Sequence, residues 1–249
     1  MKTTALIALL LVGPASANGL DDLRAALAPL QGQGALHGIY EARESRTELD
    51  AKPAKAPETV SASAQVDEDA NGFQIRWDRA LLKRAAEESN PAKGVKKNEN
   101  LTQLIGSSSA TRVANALNYA PQLLKFLANG QLKSERADTW QGKPARLIEV
   151  QIVPQEEDND KVKVKVKDNT HLANIWLSAD GVPLAANVSH SIKASFMIFL
   201  SFEKTSKEEM NFAVVANRLV VLKREEHGKQ KAPGTDSEFK NSYTFSPKA

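Results

Sequence analysis

The residues best able to do chemistry are four histidines, His37, His171, His190 and His227. Imidazole titrates near neutrality and serves as base, acid or metal ligand. None of the four lies near a Gly-x-Ser-x-Gly elbow, the strained turn that exposes a nucleophilic serine. His171 and His190 have no carboxylate at helical spacing, and there are no cysteines, so the ligand spacings of zinc sites do not occur. Acidic residues come as sequence neighbours: Asp21-Asp22, Glu87-Glu88, Glu156-Glu157-Asp158 and Glu225-Glu226. Neighbours on a helix or strand point apart, so these pairs do not read as the flanking carboxylates of a glycosidase. Glu156 to Asp160 offers oxygen ligands for calcium but lacks the glycine and spacing of a calcium loop, and it reads as a solvated acidic turn. The expectation is no catalytic residue, no cofactor and no metal.

Two other sets suit binding. In a strand, Lys161, Lys163, Lys165 and Lys167 put four ammonium groups on one face, with Val162, Val164 and Val166 on the other. Such lysines guard an exposed strand against edge-to-edge pairing. The functional reading of the same residues is a ladder for anionic headgroups, at about 1 kcal/mol per basic residue. The second set is apolar: Phe196, Ile198, Leu200 and Phe202 face one side of an expected strand, with Met197 and Phe199 on the other. A strand apolar on both faces needs cover on both, from packed core or from a cavity. The cavity reading joins Phe196, Phe199 and Phe202 to Trp77, Leu117, Leu124, Trp176, Phe239 and Tyr243 as a lining for an acyl chain, where each buried methylene contributes about 0.8 kcal/mol.

The elements that must position these residues are legible from periodicity. Lys2, the apolar run Ala5 to Val12 and Ala15-Ser16-Ala17 predict an export signal over residues 1–17, cleaved after Ala17. That run is too short to span a membrane, and no later segment qualifies. With no cysteine there is neither a disulfide nor an attachment point for a lipid anchor. A formal net charge of +3 gives no general argument for nucleic-acid binding. Leu20, Leu23, Leu27 and Leu30 make the stripe of a first helix, ended by Pro29 and Gly32/Gly34. Ala35 to Thr47, Val60 to Val66 and Phe73 to Trp77 read as strands, the last two joined by a turn at Asn71-Gly72. A short helix over Leu81 to Ala86 follows, then a polar charged insertion at 87–100. A second helical stretch runs from a cap at Ser107 to Ser109 through Val113, Leu117, Leu123, Leu124 and Leu127, divided at Pro121 and stopped at Asn129-Gly130. From Gln131 the pattern is almost wholly β, interrupted by a second charged insertion at 155–160. The count is nine to eleven strands with two or three helices, the strands largely antiparallel because their connections are short.

That order, an export signal, an amphipathic helix, three strands, a helical insertion and a long antiparallel run, resembles the periplasmic lipoprotein carriers and lipoprotein-sorting proteins and their relatives among envelope-stress sensors. The local pieces are Asn71-Gly72-Phe73-Gln74-Ile75-Arg76-Trp77, Gln141-Gly142-Lys143-Pro144-Ala145, and Ile175-Trp176-Leu177-Ser178-Ala179-Asp180-Gly181. The resemblance implies an α+β fold, a single domain over 18–249 whose strongly curved antiparallel sheet forms an open half-barrel, with helices covering the concave side. Where those carriers place a basic–Pro pair before the third strand, this chain has Glu68-Asp69-Ala70, so no lid-control residue carries over.

Three functions follow as expectations. The first is non-enzymatic periplasmic binding of lipid or lipoprotein acyl chains in an apolar cavity. The second is an envelope interaction or sensor module, with a protein partner and a groove filled by its own helix. The third is a hydrolase, for which the sequence offers no converging polar groups. Secretion beyond the periplasm is equally compatible with an export signal. Neither a nucleic-acid partner nor a transmembrane segment is expected in the mature chain.

Overall fold

A computed structural model describes residues 18–248, except 31, 33, 51, 54, 55, 96, 154–163 and 197–199. The expected export signal, the acidic group at 156–160, and Lys161, Lys163 and Phe199 lie outside the described residues.

Among the described residues, ten strands make one antiparallel sheet, accompanied by five helices. In chain order the elements are α1 (Gly19–Leu27), β1 (Leu36–Glu48), β2 (Glu58–Asp69), β3 (Gly72–Trp77), α2 (Arg79–Ser89), α3 (Asn100–Ser107), α4 (Ala110–Leu117) and α5 (Ala120–Leu127). Then come β4 (Gly130–Trp140), β5 (Lys143–Ile152), β6 (Val164–Leu177), β7 (Pro183–Phe196), β8 (Leu200–Val215), β9 (Arg218–Ala232) and β10 (Thr235–Pro247). The spatial order is β3-β2-β1-β10-β9-β8-β7-β6-β5-β4. The chain therefore starts its sheet near one side, and β10 returns to pair with β1.

This topology sets the task of the helices. β3 and β4 are consecutive strands at opposite edges, so the segment between them must cross the whole sheet. Nine strand spacings of ~4.8 Å amount to roughly 43 Å. Helices α2 to α5 make that crossing, and their apolar stripes meet one face of the sheet on the way.

The starts of α1 and α5 have local causes. Asn18 caps α1, its side-chain oxygen accepting from the backbone N–H groups of Leu20 and Asp21, and Asp21 and Asp22 favour the positive first turn. Pro121 cannot sit inside a helix, because its ring would meet the carbonyl four residues back. The long helical stretch accordingly breaks at Asn118-Tyr119, and Pro121 falls in the first turn of α5. Ser109 occupies the cap position of α4, but its hydroxyl makes no capping bond. The Ser107 hydroxyl instead donates to Glu44 on β1.

Two apolar clusters hold the helices to the sheet. Leu20, Leu23 and Leu27 of α1 with Leu123 and Leu127 of α5 pack on Ile148, Ile175, Ala186 and Met210. Leu101 and Leu104 of α3 with Val113 and Leu117 of α4 pack on Tyr40, Ala62, Val66 and Phe245. Buried Arg218, at the start of β9, ties the pieces together. It donates to the carbonyls of Gly32 and Gly34 and pairs with Glu68 at the end of β2.

Several expectations change. Among the described residues five helices replace the expected two or three: α3 follows the polar insertion with Leu101 and Leu104 buried, and the stretch expected around Pro121 divides into α4 and α5. Phe196 to Phe202 is not one strand. β7 ends at Phe196 and β8 begins at Leu200, and the two residues are antiparallel partners. Residues 164–167 of the lysine segment join Leu172 to Leu177 in the single strand β6, whose register shifts between Val166 and Asp168. No helix among the described residues is long and apolar enough to cross a membrane.

Candidate functional site

Register decides which side chains share the helix-bearing face. One cross-strand row runs Ala42, Tyr243, Arg224, Met210, Ala186, Ile175, Ile148. The next inward row, two residues along each strand, runs Glu44, Asn241, Glu226, Glu208, Val188, Ala173, Val150. The third runs Arg46, Phe239, Gly228, Ser206, His190, His171, Ile152. The first two rows are apolar toward β5 and polar toward β9 and β10, whereas the third carries polar residues on β6 to β8 and has Gly228 and Phe239 on β9 and β10.

Between this face and helices α4 and α5 lies a cleft with two adjoining lobes. The larger, about 640 Å³, is bounded by Tyr40, Glu44, Leu117, Asn241 and Tyr243, with Arg112 and Gln122 above. The smaller, about 340 Å³, is bounded by Leu123, His171, Val188, His190, Glu208 and Met210. Tyr119, Phe126, Arg224 and Glu226 line both lobes. Tyr119 is fixed where α4 meets α5. Its backbone N–H donates to the Leu219 carbonyl at 2.8 Å, and its ring stacks on Phe212 at 5.7 Å between centroids.

The polar floor is a set of charge pairs. Arg224 donates through Nη2 to Glu208 Oε2 at 2.9 Å. Lys204 donates to Glu226 at 3.4 Å, and its ammonium also lies 5.0 Å from the centre of the Phe239 ring. Asn241 donates to the other Glu226 oxygen at 3.4 Å. Glu44 accepts from Ser107 at 3.0 Å and from the Tyr243 hydroxyl at 3.3 Å. Phe239 needs Gly228 beside it, since a Cβ there would meet Cζ of the ring at 2.8 Å.

Burial sets the titration of these groups. It raises Glu208 above the ordinary carboxylate range, opposed by the neighbouring Arg224 charge. Burial pulls Arg224 down, but the Glu208 carboxylate beside it, with Tyr119 and Glu226, more than reverses this, and Arg224 ends above its ordinary value. The Tyr119 hydroxyl is pushed up to about 12 by burial. Tyr243 rises through burial and the adjacent Glu44 charge. His171 and His190 stack with centroids 4.0 Å apart, and burial lowers both. His171 Nε2 lies 3.1 Å from Asn169 Oδ1, and His190 Nε2 is buried without a partner.

The expected lining disperses. Leu117 and Tyr243 line the larger lobe, and Leu124 packs against the first apolar cluster beside it. Trp77 is packed into the second cluster with Leu81 and Ile75. Phe239 borders a separate hollow of about 240 Å³ near the far end of β1. Phe202 has the right strand parity but lies on β8 three alternate positions beyond Glu208, outside both lobes. Phe196 ends β7. Trp176 corrects the expectation outright. Its neighbour Ile175 lines the cleft, so alternation sends Trp176 to the opposite face. There its indole N–H donates to Asp138 at 3.1 Å and its ring lies 5.1 Å from Trp140. Lys165 stands opposite Ser195 and Lys167 falls at the register shift, both on β6.

Sequence reasoning missed Glu208, Arg224, Glu226, Tyr119 and the stacking of His171 on His190. Lys204 to Met210 and Lys223 to His227 carry no apolar alternation, so nothing local told which residues face inward. Only antiparallel pairing puts Glu208 beside Arg224.

The floor can hydrogen-bond and neutralise charge within a desolvated site. Ser206 and His190 are cross-strand partners, yet no hydrogen bond joins them among the described residues. Among those residues no group of three or more His, Cys, Asp or Glu is arranged to hold a metal ion. No protein-family model matches the chain, and neither does any curated protein.

Proposed function

We propose that the chain is an exported envelope protein that binds, without catalysis, a lipid or lipoprotein acyl chain in the cleft beneath α4 and α5. In this reading the sheet is the strongly curved open half-barrel that the carrier-like sequence pattern implies, the helices cover its concave side, and α4 with α5 forms the cover that opens.

One observation carries the proposal. The two apolar clusters fill the face of the sheet at either side, and the space between them is left as a cleft lined by Leu123, Phe126, Val188 and Met210. Burying a tail there would contribute about 0.8 kcal/mol per methylene. Cavities of roughly 300–1,000 Å³ with a few placed polar groups are the usual form of ligand sites.

A second reading rests on the polar floor. The Glu208–Arg224 and Glu226–Lys204 pairs satisfy one another without a ligand, as expected of an interaction or sensor module whose groove its own helices fill.

Native mass spectrometry with lipid extraction, on mature protein purified without detergent, separates the two. Acyl lipid near one per chain, lost in Phe126→Asp while circular dichroism is unchanged, supports carriage. An apo mass that persists with added lipid refutes carriage and leaves the partner-binding module.

A further inference from the structure

We propose that the edge strand β4 docks a second copy of this chain, the two β4 strands pairing antiparallel about a two-fold axis at Ala137 and joining two sheets into one. This goes beyond the binding reading above and does not depend on it.

The first argument is the edge itself. β4 ends the sheet, and among the described residues no strand pairs with its outer side. The turn to β5 fixes which backbone groups face outward. Gln141 and Gly142 both have positive φ, 49° and 75°, as a two-residue type I′ turn requires. Trp140 and Lys143, which flank that turn, are then a hydrogen-bonded pair, and by alternation so are Asp138 with Ala145 and Arg136 with Leu147. The intervening pairs are not, so Glu135, Ala137 and Thr139 point their N–H and C=O groups away from β5. Two contacts agree with this. Thr139 stands opposite Pro144, which has no N–H to give. The Thr139 N–H donates instead to Asp138 Oδ1 at 2.8 Å. A row of outward donors and acceptors is a template for another strand.

The second argument is charge, which selects both the partner and the register. Opposed residues of an antiparallel pair share one face of the sheet, so only positions an even number apart can meet. An axis at Ala137 sets Arg136 against Asp138 of the second copy, and symmetry repeats the contact. Moving the axis one residue either way sets Arg136 against Arg136 or Asp138 against Asp138, and like charges directly opposite repel. Glu135, already held by Arg146 and the Gly19 N–H, meets uncharged Thr139. Arg136 is exposed and has no hydrogen bond or ion pair among the described residues. Asp138 accepts from the Trp176 indole through Oδ2, and Oδ1 is released to the incoming guanidinium once the Thr139 N–H turns to the new strand.

The same strand limits the pairing. The register shift at Lys133 ends the regular edge, so contact runs from Ser134 to Trp140 and closes on itself as a dimer. Three outward pairs that exchange two bonds each give about six backbone hydrogen bonds. That is a small interface beside the roughly 1,200–2,000 Å² of stable complexes, so the dimer forms reversibly at high protein concentration.

Sedimentation velocity of the mature protein, from about 5 μM to about 1 mM, tests this. Wild type should shift reversibly from monomer toward dimer. Arg136→Asp and Asp138→Arg, each shown to be folded by circular dichroism, should both weaken self-association about tenfold, because each sets like charges opposite one another. Mixing the two variants should restore association, since every opposed pair is then again of opposite sign. The chain has no cysteine, so Ala137→Cys should also cross-link to itself on mild oxidation, whereas Ser134→Cys, which faces Trp140 across the axis, should not. A wild type still monomeric at the top concentration would overturn the proposal. Dimers that neither variant weakens would place the contact elsewhere and overturn the β4 assignment. Failure of the mixture to associate would overturn the register.

Discussion

Arg224→Met removes one cation from the cleft floor and keeps the apolar length of its stem. Glu208 is then left with 18% of its side chain exposed and no partner. An unpaired buried carboxylate can protonate, and that sets a ceiling on the damage. From an ordinary glutamate pKa of about 4.3, protonation at pH 7 costs about 3.7 kcal/mol, at 1.36 kcal/mol per pH unit. At pH 5 the ceiling falls to about 1 kcal/mol. The Arg224 side chain is 39% exposed and the cleft admits water, so the ion pair is partly screened and about 2 kcal/mol is the expected loss at pH 7. The sign follows from linkage. Glu208 is already raised by burial in the folded protein. Losing Arg224 raises it further above its unfolded value, so stability is retained near pH 4 and lost as pH climbs toward the folded pKa. Urea denaturation by circular dichroism, at pH 5 and pH 7, measures both points. Glu208→Gln in the Arg224→Met background should remove most of the pH dependence. Equal destabilisation at the two pH values, or no rescue by the second substitution, would refute the account of a buried, mutually dependent pair.

Arg218→Met should cost about 3 kcal/mol, because it strips a buried charge-assisted network from Glu68, Gly32 and Gly34. Hydrogen exchange should report earlier opening of the segment following α1, and protection equal to wild type would refute the tie. Leu127→Ala, at a fully buried position touching both α1 and the sheet, should lose about 2–5 kcal/mol in chemical denaturation; a loss under 1 kcal/mol would mean the first cluster is not close-packed. Proton NMR should find His171 and His190 both titrating below 6.5. Their contribution to stability is then present above that pH and lost as pH falls through their folded values. Titration of either above 6.5 would contradict their burial.

The sequence by itself determined the elements whose signals are local. Leucine spacing at 20, 23 and 27 predicts α1, and Pro121 predicts the break that becomes the junction of α4 and α5. The Asn71-Gly72 turn, with the almost wholly β pattern from Gln131 and its short connections, led to an antiparallel α+β architecture and a strand count that includes ten. Short-range sterics and periodicity need no knowledge of distant partners, which is why these readings hold. Phe196 to Phe202 failed because a continuous apolar run looks alike whether it is one strand or the facing ends of two. Trp176 failed because hydrophobicity alone does not say which face of a strand looks inward; register does, through Ile175. The charged floor was invisible for a stronger reason. Glu208, Arg224, Glu226 and Glu44 come from three strands, and only the return of β10 to β1 brings the fourth strand of the floor, with Asn241 and Tyr243, between them. A polar side chain on a strand defaults to solvent. Its burial in a cleft is decided by which helices cross the sheet above it, and here the separation of β3 and β4 to opposite edges decides that crossing.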